Sequence, residues 1–278
     1  MRLTVLVENE AAPGAPIEAE HGLAILVEAH GRRVLFDTGA SGLAAENAET
    51  LGLGDALARL DAVVVSHGHY DHAGGLRAVL ARARRRLAVH VRPGFFERRL
   101  RVSDADSRDI GVPFGRDELE RMGALFREEP GPREILPGFF VTGEISLREE
   151  TAIGEVGLCR PTFAGGIEPD EFHEELALAV RCAGGIAILV GCAHRGLVNS
   201  VLAAREAALC ADVEAVIGGA HLRSADADRI ERTMAALERL GVERVALGHC
   251  TGASAEAAAA HVFGHDFTPL RAGAVLSL

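Results

Sequence analysis

Short apolar runs rich in Val, Ile and Leu alternate with segments of helical spacing along most of the chain. A short apolar run predicts a buried strand, and apolar residues three or four positions apart predict an amphipathic helix. The predicted strands are 3–7, 23–28, 33–37, 61–66, 87–91, 139–143, 156–159, 176–181, 186–190, 213–217, 244–247 and 274–278. The predicted helices are 41–60, 75–86, 197–209, 226–240 and 253–262.

The order of these elements predicts the class of fold. Strands 23–28 and 33–37 flank Gly31 and indicate a hairpin, whereas strands and helices alternate regularly after residue 186. This mixture favours two sheets covered by helices over one parallel sheet, so we expect an α/β (α+β) fold. The sequence has no internal repeat and no low-complexity linker, and we therefore expect a single domain over 1–278.

Residues 93–135 interrupt the pattern. This segment contains Pro93, Pro113, Pro130 and Pro132 together with many charged residues. Proline lacks a backbone donor and suits loops and strand edges better than the middle of a sheet. We predict that the segment is an insertion or lid over a site, outside the main sheet.

Composition narrows the function classes. The formal net charge is -11, which disfavours a protein whose main task is to bind nucleic acid, although a local basic groove would still allow a nuclease. The five cysteines form no CxxC pair, as is typical of reduced thiols in the cytosol. The N-terminus lacks the apolar length of a signal peptide, and no apolar run is long enough to span a bilayer. We expect a soluble cytoplasmic protein with no membrane or nucleic-acid partner.

A dense group of potential metal ligands follows the apolar strand 61–66. Residues 67–72 read His-Gly-His-Tyr-Asp-His, which places three imidazoles and one carboxylate close together. Nitrogen and oxygen donors of this kind suit Zn²⁺, Mn²⁺ or Fe²⁺. The glycine permits a tight turn, so the first two histidines can face one centre while Asp71 and His72 face a second. A chance surface cluster explains this arrangement poorly.

Three further histidines stand just beyond predicted strands. They are His194, His221 and His249. Each alone could be an ordinary buried histidine, but functional residues of α/β folds gather beyond the carboxyl ends of strands. Their common placement therefore predicts that they complete the metal site.

The chain resembles the metallo-β-lactamase superfamily in its ordered motifs. These are residues 36–39 (Phe-Asp-Thr-Gly), the segment 66–72, His194 and His249. The resemblance covers nearly the whole chain. It implies a four-layer αββα sandwich, in which two mixed β-sheets are flanked by helices and metals lie at one edge. A narrower resemblance, to a subgroup of dihydropterin ribofuranosyl-aminobenzene-phosphate synthase-like proteins, rests on segments 20–23, 142–145, 191–196, 218–222 and 248–252.

The resemblance implies roles for individual residues. One metal would be held by His67, His69 and His194. The other would be held by Asp71, His72 and His249. Asp71 would also be the catalytic residue that orients the attacking water, and Asp37 would orient the ligand loop through hydrogen bonds.

The sequence departs from the superfamily pattern at one ligand position. Most two-metal members have a bridging aspartate there, whereas this chain has His221. An imidazole does not bridge two metals as a carboxylate does. His221 is therefore expected either to bind one metal terminally or to contact the substrate, and the centre is expected to contain one or two divalent transition metals, with Zn ahead of Mn or Fe.

The resulting hypothesis is a metal-dependent hydrolase that uses a metal-activated water on a small molecule, such as a phosphorylated or pterin-like compound. Polar residues of two loops, Glu144, Asp170 and His173, are candidates for substrate binding, although they could equally form a solvated acidic loop. A nuclease or phosphodiesterase of the same superfamily and a non-catalytic metal or ligand sensor are the alternatives. A homodimer is a further expectation.

Overall fold

Two seven-stranded sheets pack face to face in the computed structural model, which describes residues 1–149, 156–162 and 164–278. The strands are β1 Arg2–Val7, β2 Ala24–Ala29, β3 Arg32–Phe36, β4 Ala62–Val64, β5 Leu87–Val91, β6 Leu100–Val102, β7 Ser107–Asp109, β8 Ala124–Glu128, β9 Arg133–Leu136, β10 Phe139–Val141, β11 Leu158–Pro161, β12 Ile167–Pro169, β13 Leu178–Cys182, β14 Gly185–Val190, β15 Val213–Gly219, β16 Val242–Gly248, β17 Phe267–Pro269 and β18 Val275–Ser277.

Helices cover the outer faces of both sheets. They are α1 Leu43–Thr50, α2 Gly54–Ala58, α3 Tyr70–Ala73, α4 Leu76–Arg82, α5 Arg116–Arg121, α6 Leu197–Ala208, α7 Ala227–Arg239 and α8 Ala253–Phe263, with a short 3-10 helix at Gly264–Asp266. Within the described ranges, no helix has both the length and the apolar character that a bilayer span requires.

The first sheet has the order β18-β1-β2-β3-β4-β5-β8, and the second has the order β17-β16-β15-β14-β13-β10-β9. Strands β3, β4, β5 and β8 run parallel in the first sheet. Strands β14, β15, β16 and β17 run parallel in the second. Each sheet is therefore mixed, and each presents a row of strand carboxyl ends along one edge.

The apolar runs of the sequence are buried on both sides. In β14, Ile186 and Ile188 pack towards the helices, whereas Ala187 and Leu189 pack into the space between the sheets. In a strand, successive side chains point to opposite faces, so a run without polar residues indicates two covered faces. This confirms the predicted αββα sandwich.

Helix α7 shows how the helical spacing is realised. The carboxylate of Asp226 accepts a hydrogen bond from the backbone N–H of Arg229 at 2.8 Å and caps the first turn. Ile230, Met234 and Leu237 fall on one face and are buried. The predicted helix 41–60 differs, because it is broken into α1 and α2 around Gly52, whose positive φ of 72° suits a helix end.

The prediction that 93–135 lies outside the main sheet is wrong for two strands. Strand β8 extends the first sheet beside β5, and β9 extends the second beside β10. Both are edge strands, where charged and proline-flanked sequences are common because unpaired edges must resist aggregation. That composition resembles a loop. Within 93–135, β6 and β7 lie outside the two large sheets and join β11 and β12 in a separate four-stranded sheet.

Candidate metal centre

The candidate ligands meet where the carboxyl ends of the two sheets converge. In the first sheet, Asp37 follows β3 and His67 follows β4. In the second, His194, His221 and His249 follow β14, β15 and β16. Neighbouring parallel strands end at the same edge, so short loops after them bring these side chains together.

The first triad consists of His67, His69 and His194, all buried. Nε2 of His67 lies 3.1 Å from Nδ1 of His69 and 3.3 Å from Nε2 of His194. A tetrahedral metal with bonds of about 2.0–2.1 Å to nitrogen separates neighbouring ligand nitrogens by about 3.3 Å. Both separations measured from His67 are therefore close to the tetrahedral value.

The second triad consists of Asp71, His72 and His249, which are also buried. The two Nε2 atoms of His72 and His249 are 3.1 Å apart. Oδ2 of Asp71 lies 3.7 Å from Nε2 of His72 and 3.5 Å from Nε2 of His249. These distances fit a second metal position beside the first.

Hydrogen bonds at the other ring nitrogen orient several of these histidines. Nδ1 of His72 donates to Oδ2 of Asp37 at 2.7 Å, because a carboxylate can only accept. Nδ1 of His249 lies 3.1 Å from the amide oxygen of Asn9, to which it can donate. Both bonds occupy Nδ1 and turn Nε2 towards the centre, which is the orientation that metal-binding histidines use.

Asp37 also fixes the start of the ligand loop. Its Oδ1 accepts the backbone N–H of Ser66 at 2.7 Å, and its Oδ2 accepts the Ser66 hydroxyl at 2.8 Å. The Ser66 hydroxyl lies 2.9 Å from Nδ1 of His67. One buried carboxylate is thus connected to a candidate ligand of each triad.

Electrostatics favour neutral ligands in the first triad. Burial lowers the pKa of His67 and His194 well below the ordinary value, and it lowers the pKa of His69 to about 3. Burial also lowers the pKa of His72, but the carboxylates of Asp37 and Asp71 outweigh it and raise that pKa to about 9. The first triad thus presents uncharged imidazoles, the form that binds a metal.

A buried glutamate holds the loop that carries His194. The two carboxylate oxygens of Glu175 accept the backbone N–H groups of His194 and Arg195, at 2.8 and 2.7 Å. Burial raises the pKa of Glu175 to about 7. Phe172, from the same segment, stacks on the His194 ring with centroids 3.9 Å apart and planes 6° from parallel. Glu175 therefore fixes the backbone of the loop after β14, and Phe172 fixes the ring of His194.

His221 lies beside the first triad. Its ring centroid is 4.3 Å from that of His194, and its backbone N–H donates to Sγ of Cys250 at 3.3 Å. Among the described residues, its ring nitrogen groups with the thiols of Cys192 and Cys250. The structure thus places His221 beside the centre and in the cavity wall, where either of its two expected roles is within reach.

The triads lie at the base of a cavity of about 580 Å³. Among the described residues that line this cavity, Asp71 is the one carboxylate, whereas four residues are arginines: Arg101, Arg108, Arg223 and Arg229. Arg101 and Arg108 come from the four-stranded sheet, and the other two come from the segment after β15 and the first turn of α7. A chain with a net charge of -11 therefore has a strongly basic cavity mouth.

Comparison with known proteins identifies the family. The model of the metallo-beta-lactamase superfamily matches residues 17–157. A Methanocaldococcus jannaschii protein named 7,8-dihydropterin-6-methyl-4-(beta-D-ribofuranosyl)-aminobenzene-5'-phosphate synthase is 30% identical over 296 aligned residues, which cover 99% of this chain and 96% of that protein. The chain belongs to the metallo-β-lactamase superfamily.

Solved structures of the superfamily agree with this assignment. The crystal structure of Tm1679, described as a metal-dependent hydrolase of the beta-lactamase superfamily, matches with a TM-score of 0.83 and 31% identity, covering 100% of this chain and 99% of that one. Human tRNase Z, short form, matches with a TM-score of 0.57 and 16% identity over 100% and 99% of the two chains, which shows the shared fold alone. The resemblance predicted from the motifs is confirmed.

The three residues predicted to bind substrate lie elsewhere on this metallo-β-lactamase fold. Asp170 is buried against Arg99, and His173 contacts Glu144 at 3.1 Å. None of the three is among the described residues that line the metal cavity, and Asp170 and His173 line a separate, smaller groove. The expectation that they shape the metal pocket is corrected, because sequence distance from the ligand loops does not reveal which side of a loop faces the cavity.

Several cavity residues were not predicted as site residues from the sequence. Cys192 lies in the cavity wall 3.3 Å from Nε2 of His72. His21 contacts Oδ2 of Asp71 at 3.2 Å and stacks on His249. A signal for Cys192 exists in the sequence, since it stands two residues before His194 at a strand end. Arginines far apart along the chain carry no such signal.

Proposed function

We propose that this metallo-β-lactamase superfamily member is a metal-dependent hydrolase that acts on a phosphorylated small molecule. The observation that carries the proposal is the combination of two converging ligand triads with an arginine-rich cavity mouth above them. The triads provide the reaction chemistry, and the arginines provide the preference for an anion. The proposal has three parts: the metals, the reaction and the substrate.

Two divalent transition metals would be held by the two triads, with Zn the leading candidate and Mn or Fe the alternatives. His67, His69 and His194 would hold one, and Asp71, His72 and His249 the other. Three observations support this fit: nitrogens close to tetrahedral spacing around His67, neutral imidazoles in the first triad, and hydrogen bonds at Nδ1 that turn Nε2 of His72 and His249 towards the centre. Such metals supply Lewis-acid chemistry, which polarises a phosphoryl or carbonyl oxygen and makes water nucleophilic at neutral pH.

Asp71 is the candidate catalytic residue among the protein groups. Neighbouring imidazoles outweigh the effect of burial and hold the pKa of Asp71 below its ordinary value, so the side chain is an ionised acceptor. It faces the cavity and can accept a hydrogen bond from the attacking water. The chain then needs no serine or cysteine nucleophile.

The substrate would be anchored through an anionic group at the cavity mouth. Arg108, Arg223 and Arg229 form no ion pair with any described carboxylate. Arginine is suited to phosphate because its planar guanidinium donates two parallel hydrogen bonds. Guanidinium groups without a carboxylate partner, placed above a metal centre, favour a phosphate-bearing ligand.

The size of the cavity favours a small molecule over nucleic acid. Its volume of about 580 Å³ falls within the range of about 300–1,000 Å³ typical of small-ligand sites. The name of the Methanocaldococcus relative contains a dihydropterin, an aminobenzene and a ribofuranosyl 5'-phosphate, and it ends in synthase. A pterin-like phosphate is therefore a reasonable candidate substrate, with water or another acceptor as the attacking group.

The test uses matched pairs of compounds and matched metal states. The protein is stripped of metal and then loaded with Zn, Mn or Fe. Each form is assayed on phosphomonoesters, phosphodiesters, cyclic phosphates and pterin phosphates, and each compound is compared with its dephosphorylated counterpart. Lactones are assayed as a further class. The proposal expects turnover that depends on metal, favours the phosphorylated member of a pair, and is lost in the His67→Ala/His194→Ala variant.

Two results would decide against the proposal. Metal-loaded protein that binds phosphorylated compounds but turns none of them over would favour a non-catalytic sensor. Turnover restricted to RNA or DNA would favour a nuclease of the same superfamily.

The Arg232→Ala variant serves as the control for the histidine variant, because Arg232 is an exposed residue of α7 paired with Asp228.

A further inference from the structure

The thiol of Cys192 lies between the two triads. Its Sγ is within 4.8 Å of the ligand nitrogens of His67 and His194, and also within 4.8 Å of those of His72 and His249. The side chain is buried and approaches Nε2 of His72 at 3.3 Å. The Cys192 thiol is thus close to two histidines of each triad.

The separation between sulfur and nitrogen fits metal coordination. A tetrahedral metal with bonds of about 2.3 Å to sulfur and about 2.0–2.1 Å to nitrogen places the two ligand atoms about 3.5 Å apart. The observed 3.3 Å between Cys192 and His72 is close to this value. The thiol is also within 4.8 Å of the ligand nitrogens of His72 and His249, which makes it a candidate further donor to the second triad.

The local backbone positions the thiol for this purpose. Gly191 separates β14 from Cys192, and a Cβ atom at Gly191 would lie 2.1 Å from Oγ of Ser66. The glycine therefore lets the chain pass close to the ligand loop. Ala193, the next residue after Cys192, has a positive φ of 54°, which is uncommon for a residue with a side chain and turns the chain between Cys192 and His194.

The described cavity wall lacks the carboxylate that would bridge two metals. Asp71 belongs to the second triad, and the motif resemblance puts His221 where most two-metal members have the bridging aspartate. A thiolate sulfur has several lone pairs and can bind two metals, whereas an imidazole nitrogen has one. Of the described side chains that contact the triads, Cys192 is the one that combines a central position with this capacity.

We propose that Cys192 is a shared thiolate ligand of the two metals and replaces the bridging carboxylate. On metal binding the S–H bond breaks, sulfur–metal bonds form, and the proton leaves to solvent, as for any coordinating thiol. The inference rests on the metal centre of the proposed function, but not on the reaction or the substrate. A soft sulfur donor at the middle of the centre selects Zn or Fe over Mg or Ca.

Cys250 is the rival ligand within the same region. Its Sγ accepts the backbone N–H of His221 at 3.3 Å and lies 3.6 Å from the backbone oxygen of Cys192. Among the described residues it groups with Cys192 and His221, so this thiol also lies close to the centre. The experiment must therefore separate these two thiols.

The test is spectroscopic and needs no substrate. X-ray absorption of the Zn-loaded protein is expected to show sulfur at about 2.3 Å, with about one sulfur per metal at two equivalents of Zn. The Co²⁺-loaded protein is expected to show a sulfur-to-metal charge-transfer band. Both signals should be lost in Cys192→Ser and retained in Cys250→Ser and in the remote control Cys210→Ser.

The outcomes are distinguishable. If the wild-type protein binds Zn with only nitrogen and oxygen neighbours, the inference is overturned and the proposed metal centre stays intact. This measurement is made on the wild type and does not depend on the folding of any variant. Loss of the signals in Cys250→Ser but not in Cys192→Ser assigns the sulfur to Cys250. About half a sulfur per metal at two equivalents makes Cys192 a terminal ligand, which overturns the shared role. Protein that binds no metal removes the proposed function as well.

Discussion

Asp37 and His72 form a hydrogen bond of 2.7 Å in the buried region between the two sheets. The same carboxylate accepts two hydrogen bonds from Ser66, which precedes the ligand loop. Asp37 itself has a positive φ of 56°, a costly conformation for a residue with a side chain. The backbone is therefore held in an uncommon geometry at the point where it orients a candidate ligand.

Replacing Asp37 by Asn should weaken metal binding more than it weakens folding. The amide keeps the size of the side chain, but its charge and one of its two acceptors are lost. Partners of this kind typically change metal affinity by about 10–100-fold. Competition with a chelator should show that loss for the second metal, while Asp228→Asn, on the exposed face of α7, leaves affinity unchanged. Equal affinity in Asp37→Asn and wild type would contradict this role.

The arginine-rich mouth predicts how binding responds to charge. Arg223→Gln and Arg229→Gln should each raise KM for a phosphorylated substrate by about tenfold or more, since a hydrogen bond to a charged group contributes about 1.5–3 kcal/mol. The inhibition constant of inorganic phosphate should rise in parallel, and kcat should change less. Arg232→Gln should leave these constants unchanged. If all three variants raise KM equally, the effect comes from the loss of positive charge in general, and the cavity arginines form no specific phosphate site.

Arg99 and its neighbour Arg98 provide a matched stability test. Arg99 is buried and donates to Glu174 through Nε and its terminal nitrogen, at 2.7 Å each, whereas Arg98 is exposed and pairs with Asp109. Arg99→Met removes the cation that is paired with the buried carboxylates of Glu174 and Asp170, which should lower the free energy of unfolding by about 3–5 kcal/mol. Arg98→Met should change it by less than about 1 kcal/mol. Urea unfolding of the two variants checks the difference, and similar losses would refute it.

A close approach of two backbone segments makes Gly75 irreplaceable. A Cβ atom at this position would lie 1.9 Å from the backbone oxygen of Thr38, which cannot move like the end of a side chain. Thr38 in turn donates its N–H and its hydroxyl to the backbone oxygen of His72, both at 2.8 Å. Gly75→Ala should therefore destabilise the fold by about 1–3 kcal/mol or more and disturb His72.

The control for Gly75 is Gly131, where an added Cβ atom would meet no neighbour within 4 Å. Thermal unfolding and metal content should both fall in Gly75→Ala and stay near wild type in Gly131→Ala. A Gly75→Ala protein with unchanged melting temperature would show that the two segments can separate without cost.

Most of the sandwich could be predicted from the sequence because its strands are buried on both faces. An apolar run such as β14 has no polar position to obscure the pattern, and its boundaries agree with the structure to within a residue. The edge strands β8 and β9 were missed for the opposite reason. Their exposed faces carry charged residues, so their sequences lack the apolar run of a buried strand and resemble those of loops.

The candidate ligands could be proposed from the sequence because histidines at strand ends keep their order along the chain. The rest of the site depends on three-dimensional proximity. The sequence alone does not place Cys192 at the centre, and the fold brings its thiol close to histidines of both triads. Arg108 and Arg229 are far apart in sequence, and the fold brings them to one cavity mouth. Asp170 shows the converse, since a polar loop residue proved to be engaged with Arg99.

The most direct test of the metal centre is a crystal structure of the metal-loaded protein, with anomalous diffraction recorded at the absorption edge of the bound metal and elemental analysis of the same sample. The account predicts two anomalous peaks about 3.5–4 Å apart, one beside His67, His69 and His194 and the other beside Asp71, His72 and His249. Protein supplemented with Zn, Mn and Fe that shows neither bound metal nor an anomalous peak among these side chains would contradict it.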